Sequence, residues 1–232
     1  MVHNLNRKYN LGGSANVQSE RHKLERIAIV GLGPIGTSIG LALKGVGLKN
    51  TEVIGQCSDR DILSIIKKIN AFDDVVSGLD EALEGAQLIV IDSPVSETRD
   101  ILQSMSPYVS DDAVITDTGN SKVRCSVWAE EFLPDTVAYI GGRPIVKDYD
   151  LKLESSSGQL FKDNYYCIMP SEKADEQAIK TVVSMVEAIG AIPYFLDPVE
   201  HDSYSAAVDV LPMVISAAFV NTTAGSASWK EM

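Results

Sequence analysis

Residues Ile27 to Gly36 read Ile-Ala-Ile-Val-Gly-Leu-Gly-Pro-Ile-Gly. An apolar run of strand length enters a G-x-G-x-x-G turn, and a segment of helical period follows with Ile35, Ile39, Ala42 and Leu43 on one face. In that context Gly31 permits a tight turn, Gly33 lets the backbone approach a pyrophosphate, and Gly36 lets helix and strand pack closely. Leu32, Pro34 and Ile35 complete the loop, whose amides and helix dipole offer a positive end to a phosphate. The alternative is a turn whose glycines serve only the backbone. The flanking strand and helix favour a dinucleotide.

From Arg26 onward, strand-length apolar runs alternate with helical segments. The predicted strands are Arg26-Val30, Glu52-Gln56, Leu88-Ile91, Ala113-Thr116, Val137-Ile140, Tyr165-Met169 and Ile192-Leu196. Ala178, Ile179, Val182, Val186 and Ile189 mark one of the helices between them. The alternation predicts an α/β fold, a doubly wound and mainly parallel Rossmann sheet over residues 25–197. Residues 1–24 read as a disordered leader, rich in Asn, Gly, Ser and charge. Beyond Asp197 the strand signal disappears, and residues 198–232 read as the start of an all-helical domain whose apolar surface needs a partner subunit or further chain.

Composition removes several function classes. A net charge of -12 argues against a nucleic-acid surface. Cys57, Cys125 and Cys167 are odd in number and widely spaced, which fits neither disulfides nor a zinc cluster, and with so few histidines no metal site is expected. No uninterrupted apolar stretch approaches membrane-spanning length and no signal-peptide layout opens the chain, so a cytoplasmic, non-membrane protein is expected.

The end of the second strand chooses between cofactors. The usual acidic position holds Cys57, while Ser58 and Arg60 could grip a 2′-phosphate, which favours NADP; Asp59 keeps NAD open if the register slips. Two further strand ends face the same crevice: Ser93, Pro94 and Val95 after one, and Asp117, Gly119, Asn120 and Lys122 after the next. Ser96 or Asn120 could also cap the following helices.

These landmarks together resemble the prephenate and arogenate dehydrogenase family of tyrosine biosynthesis. The resemblance runs from Ile27-Gly36 through Val53-Ile54-Gly55, Ser93-Pro94-Val95, Thr116-Asp117-Thr118-Gly119, Gly141-Gly142-Arg143-Pro144, Leu160-Phe161 and Tyr165-Pro170 to His201-Asp202 and Leu211-Pro212. It implies a Rossmann domain followed by a helical domain that forms a homodimer, and an NAD(P)-dependent oxidative decarboxylation of a cyclic carboxylic acid. A histidine would polarise the substrate hydroxyl, and cations would hold its carboxylates.

The departures from the family pattern fall on those groups. Arg143 stands where the family has a histidine, Asn120 where it has a serine, and Asp209-Val210-Leu211-Pro212-Met213 replaces a stretch carrying two more histidines. A guanidinium cannot act as a base near neutral pH, so Arg143 is expected to bind an anion, with a structural ion pair as the alternative. His201 is the expected base, again against a purely structural role; Lys147 and Asp209 are weaker candidates at the substrate. Two other readings stay open: a β-hydroxyacid dehydrogenase or imine reductase type of enzyme, suggested by Gly119-Asn120-Ser121-Lys122, and a non-catalytic NAD(P)-binding regulatory protein.

Overall fold

The computed structural model describes residue 6, residues 24–48, residues 50–146 and residues 152–224. Eight strands form one sheet: β1 (Arg26–Val30), β2 (Glu52–Gln56), β3 (Asp74–Val76), β4 (Leu88–Ile91), β5 (Val114–Asp117), β6 (Ala138–Pro144), β7 (Tyr165–Pro170) and β8 (Ile192–Phe195). Their order is β3-β2-β1-β4-β5-β6-β7-β8. The first six are parallel; β7 runs antiparallel to β6, and β8 parallel to β7. Strand order reverses between β1 and β4, which opens a crevice at their carboxyl ends.

Helices cover both faces: α1 (Pro34–Val46), α2 (Arg60–Ile69), α3 (Leu79–Leu83), α4 (Val95–Met105), α5 (Val123–Phe132) and α6 (Glu176–Ala188). Alternate residues of β1 divide between two cores. Ile27 and Ile29 join α1 and α6, while Ala28 and Val30 join Leu102, Met105, Cys125 and Ala129 of α4 and α5. Burial on both faces is why these strands read as continuous apolar runs.

The sheet departs from the expected elements in two places. β3 has three residues, too few for a period-2 signal, and forms because it pairs with β2. β6 extends to Pro144 rather than stopping at Ile140, because antiparallel pairing of Gly142 with Ile168 and Arg143 with Cys167 overrides the weak strand preference of Gly-Gly. That extension carries Arg143 out to the crevice edge.

The expected leader lies outside the described residues except for Asn6 and Leu24. The Asn6 carboxamide donates to Phe195 O and accepts from Phe195 N, each at 2.8 Å, on the edge of β8. After β8, α7 (Pro198–Ser205), a π-helical turn (Ala206–Val210) and α8 (Leu211–Thr223) run as one helix that begins the helical domain. By length and composition alone this 26-residue helix could cross a membrane. No uninterrupted apolar run marks it in the sequence, because its hydropathy is an average over a helix that carries a few charges. His201 and Ser205 are buried against the sheet domain, while Leu211, Met213, Ile215 and Phe219 are exposed.

Candidate active site

The glycine turn is built around one aspartate. Gly31 takes φ +79°, and a Cβ there would lie 2.3 Å from Asp92 O. Cβ atoms on Gly33 and Gly36 would meet Asp92 Oδ2 at 2.9 and 2.7 Å. In place of those atoms, Gly33 N and Gly36 N donate to Asp92 Oδ2 at 3.0 and 2.6 Å, and Thr118 Oγ1 donates to Asp92 Oδ1 at 2.6 Å. Amides from the turn and the first turn of α1 therefore converge on a single oxygen, the geometry of an anion cradle. Burial pushes the Asp92 carboxyl above the usual carboxylate range, while the hydroxyl and the two amides pull it back. Leu32 is buried in the core and Ile35 packs partly buried against it, and Pro34 has no amide to offer.

At the end of β2, Gly31 N donates to Gln56 O and Cys57 is buried. Asp59 caps α2, its Oδ1 accepting from Asp61 N and Ile62 N. Ser58 and Arg60 are exposed beside it. At α4, Pro94 rather than Ser96 occupies the N-cap, and the Ser93 hydroxyl lies 3.4 Å from that of Thr98. Val95 lies across from Gly119, 3.7 Å from where a Cβ on that glycine would stand.

Asp117 ends β5 as Asp92 ends β4, but it is wholly enclosed. Lys122 Nζ and Gly119 N bond its Oδ2, and Tyr139 OH and Gly142 N its Oδ1. Lys122 is fully buried and also donates to Gly142 O at 2.8 Å. A Cβ on Gly142 would sit 2.5 Å from Asp117 O, which is why β6 carries glycine there. Asp117 and Gly119 thus shape the floor of the crevice. Asn120 is exposed on the loop above and does not cap α5. That task falls to Asp202, from far along the chain: its carboxylate accepts from Lys122 N at 2.8 Å and Val123 N at 3.0 Å.

Next to Asp202, His201 completes a second cluster. Arg143 NH1 lies 3.3 Å from His201 Nε2 and donates to Ser205 Oγ at 2.9 Å, while NH2 donates to Asp209 Oδ2 at 2.6 Å. A guanidinium only donates, so Nε2 is the acceptor and the ring proton sits on Nδ1, 2.9 Å from Asp202 Oδ1. Desolvation pushes His201 below the ordinary imidazole range, assisted by the charges of Arg143 and Lys122 and opposed by the hydrogen bond to Asp202. His201 is thus neutral near pH 7. Lys147 lies outside the described residues.

Residues 39–194 match the family described as prephenate dehydrogenase, nucleotide-binding domain. The chain belongs to the prephenate dehydrogenase family. It is 26% identical over 204 residues to the prephenate dehydrogenase of Bacillus subtilis, covering 86% of this chain and 54% of that one, so it spans about half that relative's length. Among solved structures, Synechocystis arogenate dehydrogenase superposes with a TM-score of 0.75 at 25% identity, over 87% of this chain and 70% of that one. Prephenate dehydrogenase from A. aeolicus, solved with hydroxyphenyl propionate and NAD+, superposes with a TM-score of 0.80 at 24% identity, over 88% and 70%.

The structure thus brings Arg143, His201 and Asp209 together and places the glycine turn, Ser93 to Val95 and Gly119 along one edge. It leaves Ser58, Arg60 and Asn120 exposed at the margins. Three residues of this network had no role in the sequence reading. His201, Ser205 and Asp209 are spaced i, i+4, i+8, a one-face signal that could have found Ser205. An acid directly after an apolar strand could have flagged Asp92. The reach of Asp202 to α5 has no sequence signal.

Proposed function

We propose that this chain is the cofactor-binding part of an NAD(P)-dependent prephenate or arogenate dehydrogenase, acting by oxidative decarboxylation of a cyclic carboxylic acid. One observation carries the reading: in a chain of this family, the amide cradle and the buried Arg143–His201 cluster both lie at the carboxyl ends of the parallel strands. The cradle fits a dinucleotide phosphate, because its amides already converge on an anionic oxygen, that of Asp92. Gly33, Ile35 and Gly36 would hold the pyrophosphate while Gly31 keeps the turn tight, and Ser93 to Val95 with Gly119 would line the way to the nicotinamide. The bound cofactor supplies the hydride acceptor. NADP is favoured over NAD: Asp59 is engaged in capping α2, while Ser58 and Arg60 stand exposed beside the ribose end.

His201 holds the proton of the substrate hydroxyl at Nε2, with Asp202 fixing the ring and stabilising the charge it gains. Arg143 takes a substrate carboxylate in exchange for Asp209, a planar fork matched to a planar anion. Asn120 stands exposed on the loop after β5, and Lys147 is kept as a substrate-binding candidate from the sequence alone. The exposed apolar residues of α8 support a homodimer through the helical domain, the net charge of -12 supports a protein without a nucleic-acid partner, and the cytoplasmic, non-membrane reading rests on the sequence alone. Family membership sets the β-hydroxyacid and imine reductase reading aside.

The test is turnover: the full-length protein is incubated with prephenate or arogenate and NADP+ or NAD+, following reduced cofactor and the aromatic product together. Product with either acid supports the reading. Saturable cofactor binding with no turnover of either acid leaves the non-catalytic reading, which Arg143 in place of the family histidine favours.

A further inference from the structure

Asp92 creates a conflict within the cradle. A phosphate at a glycine turn is held by backbone amides, and here the amides of Gly33 and Gly36 already bond Asp92 Oδ2. Pro34 contributes none, which leaves Ile35 as the other amide of the first turn. The contact is built into the fold. Asp92 follows β4 directly, its N donates to Val30 O at 2.7 Å, and Thr118 from the end of β5 holds the other carboxylate oxygen. All three fingerprint glycines would strike this one residue if they carried a Cβ.

Asp92 has no salt-bridge partner among the described residues. From β5 the nearest charge is Asp117, already paired with Lys122; from β7 the Tyr166 hydroxyl feels both aspartates; α1 offers only amides and its dipole. Among the described residues only those amides and Thr118 compensate the charge, and a pyrophosphate arriving there adds like charge at close range.

We propose that Asp92 sets the affinity of the dinucleotide site: its carboxylate is a resident anion that competes with the pyrophosphate for the cradle, so that the cofactor binds best when Asp92 is protonated. This rests on the dinucleotide reading above. Asparagine is the matched replacement, because its carbonyl oxygen can accept from Gly33 and Gly36 while its amino group donates to the Thr118 hydroxyl, with the charge gone.

The experiment is calorimetric titration of NADPH and NADH into the wild-type protein and Asp92→Asn between about pH 5 and about pH 8, with circular dichroism to verify folding. Asp92→Asn is expected to bind about tenfold tighter at neutral pH. Wild-type affinity should strengthen as pH falls, because protonation removes the competing charge, and Asp92→Asn should lack that pH dependence. Should Asp92→Asn fail to fold, the slope of wild-type affinity against pH decides alone. Equal affinities with parallel pH profiles would overturn the inference and leave the site standing. Absence of binding to either protein would sink the dinucleotide site and the inference together.

Discussion

Asp92 and Asp117 end neighbouring parallel strands, one residue apart in register, and the fold treats them in opposite ways. Asp117 is neutralised by Lys122 inside a closed network with Tyr139, Gly119 and Gly142. Asp92 receives only two amides and one hydroxyl. A carboxylate with its own cation is part of the frame, fixing the loop to α5 and the strand beside it. One held by groups that also suit a ligand is part of the site. Residue type and position in the strand are shared, and the counter-charge separates the roles.

The comparison breaks most readily at Lys122. Lys122→Met keeps the bulk but leaves Asp117 buried without a cation, and should cost about 3–5 kcal/mol in urea denaturation. A loss below about 1 kcal/mol would mean that the pair does not hold the frame. Next comes Gly36→Ala, whose new Cβ falls 2.7 Å from Asp92 Oδ2 and 2.8 Å from its Cβ. It should cost about 1–3 kcal/mol, and distinctly less in an Asp92→Gly background, which removes both clashing atoms. An equal cost in both backgrounds would show that Gly36 answers to something other than Asp92.

A third strand end, β2, carries no acid at the expected ribose position. Ser58→Ala with Arg60→Ala should therefore weaken NADPH about tenfold and leave NADH nearly unchanged, as fluorescence titration can measure. Equal losses would remove the preference for the 2′-phosphate.

The smallest effect is a pH dependence of stability. Because Asp92 titrates above the usual carboxylate range when folded, its contribution is fully present below the unfolded pKa and is lost as pH rises through the folded one. Thermal melts across that window should show the wild type losing ground to Asp92→Asn as pH increases. A constant difference would place the folded Asp92 at its ordinary pKa.

Much of the molecule was legible from residue order. Continuous apolar strands and the glycine turn gave the doubly wound sheet, because both are local patterns set by burial on two faces. The Arg143 and His201 positions were legible as well, but their mutual contact was not, since it depends on β6 continuing through Gly141-Gly142 by pairing with β7. Ser96 and Asn120 looked like helix caps because the sequence shows only near neighbours, whereas α5 is capped by Asp202 from 80 residues away. Asp92 carries no local signal for its role, because its place inside the cradle appears only when β1 and β4 lie side by side.

The terminal helix has mechanical consequences through its first turns. His201 and Asp202 are consecutive, yet they grip different strands: His201, with Ser205 and Asp209, bears on Arg143 of β6, and Asp202 on the loop that leaves β5. At a rise of about 1.5 Å per residue, the helix from Pro198 to Thr223 is about 39 Å long, and about 21 Å of it runs beyond Asp209. A load applied along α8 would therefore reach the ends of β5 and β6 together.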